Sequence, residues 1–277
     1  MARVILCTTQ PAKTSYIFPN TKIEVFSYEE LCYYIYNNIA LVSEEHVGTP
    51  FIQWIRNELG LADLADKLVQ IREKTGTDLT DILTAILTYR EYYSIDEVKE
   101  FILLRERMKT LPYERTRKLQ ADGFLRYHKY IKALSIYDEI LEKNPDMNDI
   151  KLKASIYHNR AVAYANNFEL APALDSYMKS YELTGNRKSL KEYLLLLATM
   201  KDKKEIEKVA DSYDAKDMVE EIYYAISDAQ QDVAGSMDYH RLEKAVFHHE
   251  KNNLTDFSKQ LDVVIESLKS EFRSQME

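Results

Sequence analysis

The chain has 277 residues and a mass of 32.5 kDa, a size that allows one elongated domain or two compact ones. Glycine and proline number only 6 each, so residues that form turns and interrupt helices are scarce. This composition predicts a mainly helical protein, with more than about 65% helix. The net charge of −8 excludes a general attraction to nucleic acid or to an anionic membrane surface, so neither is expected as a partner.

The first elements of the chain are predicted to be two short strands. Residues 4–6 and 23–26 are β-branched and aromatic runs separated by two prolines and an asparagine. Signals that begin helices follow at intervals along the next 80 residues. The predicted helix starts are Ser27 with Glu30, Thr49 with Pro50, Asp78, and Ser94 with Glu97. The predicted helix ends are Gly60, Gly76 and Pro112.

After Pro112 the sequence repeats with a period of 40 residues. The matching pairs are Ala121 and Ala161, Phe124 and Tyr164, Ala133 and Ala173, Leu134 and Leu174, and Tyr137 and Tyr177. In each copy the two alanines are 12 residues apart, and an aromatic residue follows each of them. This spacing predicts two antiparallel helices whose backbones approach closely at the alanines.

At these residues the sequence resembles the tetratricopeptide repeat family, which consists of 34-residue helical hairpins with a proline after the second helix. Asn144 and Pro145 supply that proline in the first copy, whereas residues 184–186 take its place in the second. The period of this chain is 40 residues rather than 34, which implies about six additional residues near positions 147–153. The resemblance is good over residues 113–186 and extends more weakly to about residue 212.

The resemblance implies a mainly all-α fold, a right-handed solenoid of helical hairpins with a short two-strand N-terminal element and capping helices. The N-terminal region, residues 1–111, would hold the strand pair and several helices. Residues 112–277 would form the repeat region and its C-terminal capping helices. Further helices are predicted at 189–200, 204–212, 216–232, 237–251 and 254–272.

In the tetratricopeptide repeat family, the first helix of each hairpin lines a concave groove that binds an extended peptide or a partner's helix. The corresponding positions are Arg115, Lys118, Asp122 and Arg126 in the first copy and His158, Asn159, Val162 and Asn166 in the second. The resemblance therefore implies a non-enzymatic adaptor or scaffold with a protein or peptide partner. A C-terminal tail of the kind presented by chaperones is one such partner.

Members that bind a C-terminal carboxylate have a lysine where Lys118 stands and an asparagine where Asn159 stands. A second asparagine of those members is replaced here by Asp122, which would repel a carboxylate. Their basic residues on the third hairpin correspond only approximately to Arg187, Lys188 and Lys191. Binding of a C-terminal carboxylate, another mode of peptide binding and a merely solvated surface therefore remain alternatives.

The sequence contains no pattern typical of a cofactor, a metal site or a catalytic group. The six glycines are too far apart for a phosphate-binding loop, and neither the histidines nor Cys7 and Cys32 have metal-ligand spacing. One enzymatic alternative is a helical ribonuclease, because Arg241 and His248 are seven residues apart, which resembles the Arg and His of the HEPN family. A peptide-responsive regulator is a further alternative, although no DNA-binding helix-turn-helix is found.

The sequence predicts a cytoplasmic protein with reduced thiols. The apolar stretch after Arg3 is too short for a signal peptide, and no apolar stretch approaches the roughly 20 residues that span a bilayer. Tyrosine is the most over-represented residue, with 21 copies. We expect most tyrosines to pack between helices, with an interface role as the alternative.

Overall fold

A computed structural model describes residues 10–74, 76, 78–251 and 253–276. The protein is mainly helical, with 75% helix, and the described residues contain 14 α-helices and one two-stranded antiparallel sheet. The prediction of a mainly helical protein with a small strand pair is therefore confirmed. The strand predicted at residues 4–6 and the thiol of Cys7 lie outside the described residues.

The helices follow one another with short connections along the whole described chain. Their bounds are α1 (Tyr28–Asn37), α2 (Thr49–Asn57), α3 (Ala62–Glu73), α4 (Leu79–Leu87), α5 (Ile95–Thr110), α6 (Tyr113–Arg126), α7 (Tyr130–Lys143), α8 (Ile150–Asn166), α9 (Leu170–Thr184), α10 (Arg187–Ala198), α11 (Lys203–Ser212), α12 (Val219–Ala234), α13 (Met237–Glu250) and α14 (Leu254–Met276). Short 3-10 helices lie at Glu44–Val47 and Lys216–Met218.

The sheet consists of β1 (Tyr16–Ile17) and β2 (Glu24–Val25), with Tyr16 opposite Val25. Strand β2 lies within the strand predicted at residues 23–26. Strand β1 was not predicted, because it lies between Pro11 and Pro19, in the segment interpreted as the connection between the two predicted strands. The connecting turn is closed by the N–H of Lys22, which donates to the carbonyl of Phe18 at 2.8 Å.

The predicted caps begin the helices of the N-terminal region as expected. The Ser27 hydroxyl accepts the N–H of Glu30 at 3.2 Å, while the Glu30 carboxylate accepts the N–H of Ser27 at 3.1 Å. Ser94 and Glu97 form the same reciprocal pair at the start of α5. Each cap satisfies N–H groups that the first turn of a helix leaves without intrahelical partners. Local sequence therefore fixes where these helices begin.

Contacts divide the chain into two compact units, with the boundary in the sequence between Tyr127 and His128. The core of the first unit includes the fully buried side chains of Phe18, Tyr28 and Ile35. By its contacts α6 belongs to this unit, although the sequence places it at the start of the repeat region. The close approach of Gly123 on α6 to Leu41 illustrates the assignment, because a Cβ atom on Gly123 would lie 2.8 Å from Leu41 Cγ.

In the second unit, consecutive helices contact each other, most extensively α8 with α9. The repeat alanines Ala161 and Ala173 are fully buried, as the predicted close helix contact requires. The turn before α9 places Phe168 in the left-handed region at φ 60°, and His128, 40 residues earlier, has φ 58°. The repeat is thus reproduced in burial and in local backbone conformation.

Candidate functional site

The predicted groove residues on α6 do not form an open cationic surface. Lys118 Nζ lies 2.6 Å from a carboxylate oxygen of Asp122, and the two side chains are only 15% and 26% exposed. Lys118 therefore already binds a carboxylate of its own helix, in an ion pair that is largely shielded from water. Arg115 is exposed on the same helix, whereas Arg126 donates to the carbonyl of Asn37 at 3.2 Å.

Two of the four predicted groove residues on α8 connect helices of the second unit. His158 Nδ1 lies 3.0 Å from the hydroxyl of Ser189 on α10, and that hydroxyl lies 2.9 Å from the hydroxyl of Ser180 on α9. Both serines are buried. Asn166 accepts a hydrogen bond from Tyr130 at 3.2 Å. His158 and Asn166 therefore contribute to the packing of α8 against its neighbours.

Asn159 and Val162, the other two predicted residues on α8, are half-buried. Between them lies Arg160, which the sequence analysis did not single out. Its guanidinium donates to Asp138 at 2.7 Å and to Ser176 at 2.9 Å. It also lies over the ring of Tyr164, four residues later, a spacing that could have indicated the contact. Arg160 thus links α7, α8 and α9.

The basic residues expected near the third hairpin are also engaged. Arg187 contacts both carboxylate oxygens of Asp217, at 2.6 and 2.7 Å, and Lys191 lies 2.5 Å from Glu221. Together with Lys118, three of the cations that would receive a C-terminal carboxylate are held by carboxylates of this chain. A tail bound there would have to displace these ion pairs.

The two residues of the ribonuclease alternative both lie on α13 but have different surroundings. Arg241 binds Asp238 at 2.8 Å and lines a cleft of about 520 Å³ formed with α14. His248 is not among the residues that line this cleft. In the described part of the chain, no three His, Cys, Asp or Glu side chains are grouped so that they could hold a metal ion.

The first unit contains a different candidate, which we call the apolar cleft. It has a volume of about 370 Å³. Three segments surround it: the end of α1 together with the residues that follow, helix α5, and helix α6. Its lining includes Leu104 and Leu119, whose side chains are 40% and 42% exposed. Arg107 and Arg126 also line it, and neither has a carboxylate partner among the described residues.

A buried hydrogen-bond acceptor belongs to the same cleft. Asn38 lines it and is 3% exposed. Its amide nitrogen donates to the carbonyl of Tyr34 at 2.8 Å and to the hydroxyl of Tyr127 at 2.6 Å. Since a carbonyl can only accept, this contact fixes which end of the amide is the nitrogen. The side-chain oxygen is buried and has no hydrogen-bond partner within the described ranges, so one residue of the cleft's lining holds an unsatisfied acceptor.

Comparisons with protein-family models, curated proteins and solved structures give no match for this chain. None of the helices in the described ranges combines the length and the apolar composition needed to cross a membrane.

Proposed function

We propose that the protein is a non-enzymatic adaptor of the cytoplasm that binds a peptide segment of a partner protein in the apolar cleft. The observation that carries this proposal is the combination, in one cleft, of exposed leucines, a buried acceptor and two arginines without carboxylate partners among the described residues. These are the groups needed to bind an apolar side chain, a backbone N–H and a carboxylate, respectively.

The chemistry of the cleft specifies the partner peptide. Leu104 and Leu119 favour a leucine or methionine side chain, because covering exposed apolar surface is the main driving force of association. The free oxygen of Asn38 favours a backbone N–H, since an unpaired buried acceptor is costly until a donor reaches it. Arg107 and Arg126 favour aspartate or glutamate. The expected ligand is therefore an apolar residue followed by acidic residues.

The helices of the second unit support an adaptor of the tetratricopeptide repeat type. Ala161 and Ala173 are fully buried where α8 contacts α9, as in a closely packed helical hairpin. A stack of such hairpins has no catalytic requirement of its own and serves as a scaffold for protein contacts. We therefore retain the tetratricopeptide-like solenoid as the proposed architecture of the repeat region.

The test is fluorescence polarisation with labelled peptides of about ten residues that contain a leucine followed by two aspartates. Leu119→Asp should weaken binding at least tenfold, about 1.4 kcal/mol, because it places a carboxylate where the leucine side chain would bind. Leu103→Asp is the matched control, since Leu103 is 58% exposed on α5 and does not line the cleft. It should leave the affinity unchanged.

Charge reversal provides a second arm of the same test. Arg126→Glu should weaken binding of the aspartate peptide and strengthen binding of a peptide in which lysines replace the aspartates. Arg72→Glu, at an exposed position of α3, changes the net charge equally and should have neither effect. Equal responses to the two arginine variants, or no binding of either peptide by the parent protein, would refute the proposal.

The groove predicted from the sequence can be distinguished in the same assay. If the groove is the site, Lys118→Ala combined with Asn159→Ala weakens binding at least tenfold and Leu119→Asp does not. The proposal for the apolar cleft requires the opposite pattern. Removing Lys118 also takes one cation from the half-buried carboxylate of Asp122, so the unfolding free energy of this variant must be measured in parallel.

A further inference from the structure

A second cleft in the first unit has a different chemical character, and we call it the polar cleft. It has a volume of about 440 Å³ and lies between residues 39–46, α5 and α6. Its charged lining residues are Arg105, Lys109, Arg117 and Glu45. Asp78 and Glu106 also lie beside the cleft, each 2.5 Å from Nζ of Lys109, so the local charges balance. The two guanidinium groups, rather than a net positive charge, are the feature that favours an anionic ligand.

Arg105, one of the three cations that line this cleft, has a single hydrogen-bond partner among the described residues. One terminal nitrogen donates to the carbonyl of Ile39 at 2.9 Å. The Nε atom is buried and has no hydrogen-bond partner in the part of the chain that is described. The side chain is half-buried, and this removal from water lowers the pKa of the Arg105 guanidinium despite the opposing effects of Asp78 and Glu106.

The nearby carboxylates do not compensate Arg105 by direct contact. Asp78 and Glu106 each lie 2.5 Å from Nζ of Lys109, so both are used by the lysine. A guanidinium that is partly desolvated without a bound carboxylate is unfavourable, and a ligand that supplies the anion would relieve this cost. An arginine with one edge free can bind an oxyanion through two parallel hydrogen bonds, from Nε and from its second terminal nitrogen.

We propose that the polar cleft binds a small organic molecule through an oxyanion, either a phosphate ester or a carboxylate, held by Arg105. The volume lies within the range of small-molecule sites, roughly 300 to 1,000 Å³. Ser43, Thr116 and Gln120 also line the cleft and offer hydrogen bonds to the remainder of the ligand. The polar cleft adjoins the apolar cleft and shares Ile39, Ala40, Leu41 and Met108 with it, but Arg105 lines only the polar cleft.

The test is an NMR titration of the uniformly ¹⁵N-labelled full chain with inorganic phosphate and, separately, with acetate. Sodium chloride at matched ionic strength is the reference. The expected result is a saturable shift of backbone amides at residues 42–46, 105, 109, 116 and 117, none of which lines the apolar cleft. Shifts with phosphate alone assign a phosphate ester, shifts with acetate alone assign a carboxylic acid, and shifts with both assign the shared oxyanion. No shift beyond that caused by chloride overturns the proposal.

Three variants locate the anion. Arg105→Gln should raise the dissociation constant at least tenfold. Arg105→Lys keeps the charge but lacks the two-donor edge, so it should also weaken binding, and it provides the test if the glutamine variant does not fold. Arg72→Gln is the matched control, because it removes the same charge at an exposed position of α3 that lines neither cleft. Equal binding by the parent and both Arg105 variants, or equal losses in Arg105→Gln and Arg72→Gln, would contradict the assignment.

Discussion

Gly123 shows how a single residue sets a close contact in the first unit. A Cβ atom at this position would lie between 2.8 and 3.0 Å from three side-chain atoms of Leu41. Leu41 is 5% exposed, so its side chain has little room to move aside. The glycine therefore allows α6 to approach the segment after α1, at the expense of helix propensity.

The substitution Gly123→Ala should consequently destabilise the protein by about 1 kcal/mol. Overpacking costs about 1 to 3 kcal/mol, whereas alanine gains up to about 1 kcal/mol of helix propensity. In a Leu41→Ala background the clash is absent, and the same substitution should then stabilise by up to about 1 kcal/mol. Urea unfolding of the four proteins measures this reversal of sign. A stabilising effect in both backgrounds would mean that Leu41 does not oppose the new side chain.

Tyrosine side chains could be interpreted only in part from the sequence. Tyr34 stacks on Phe18 with ring centroids 3.7 Å apart, and Tyr93 stacks on Tyr36 at 4.2 Å, which agrees with a packing role. Tyr224, by contrast, is 74% exposed. The sequence shows the residue type but not its neighbours. Likewise, nothing in the sequence around Asn38 indicates the contact with Tyr127, which is 89 residues away.

Helices and their ends were predictable because their determinants are local. Capping boxes, Pro50 and Gly185, which ends α9 at φ 65°, all act within a few residues. The clefts of the first unit were not predictable, because they depend on contacts between distant segments. Arg126 could be identified as a site residue through the family resemblance, yet its place beside Leu104 and Arg107 follows from packing alone.

At the level of helix pairs, the contact of α8 with α9 predicts a sharp difference between two alanines of α9. Ala173 is fully buried, whereas Ala171 is exposed. Ala173→Leu should lower the free energy of unfolding by about 1 to 3 kcal/mol, because the added methylene groups separate two closely packed helices. Ala171→Leu should change it by less than about 0.5 kcal/mol. Thermal and urea unfolding report both values, and similar costs at the two positions would argue against a close contact at Ala173.

On the scale of the whole molecule, each compact unit has a hydrophobic core of its own. The first core contains Cys32 and Tyr28, and the second contains Leu190 and Ile222, all fully buried. Residues that share one hydrophobic core unfold together, so two separate cores allow the two units to unfold separately. A destabilising substitution should then act mainly on the unit that contains it.

The thiol of Cys32 makes this expectation measurable. Cys32 is fully buried, and burial raises the pKa of the thiol to about 12, so neither access nor ionisation permits reaction near neutral pH in the folded state. Its labelling by a disulfide reagent, in a Cys7→Ser background, should therefore require unfolding of the first unit. Gly123→Ala, with its expected cost of about 1 kcal/mol, should accelerate labelling about fivefold where opening is a rapid equilibrium.

Ala173→Leu supplies the decisive comparison, because its expected cost of about 1 to 3 kcal/mol falls on the second unit. If the units unfold separately, this variant labels at the rate of the parent even though its melting temperature is lower. If labelling accelerates in proportion to the loss of stability, the two cores unfold as one cooperative structure. In the folded protein the reactive thiolate of Cys32 is scarce, because burial raises the pKa of this thiol to about 12. Labelling near neutral pH therefore reports opening of the first core and not ionisation of the buried thiol.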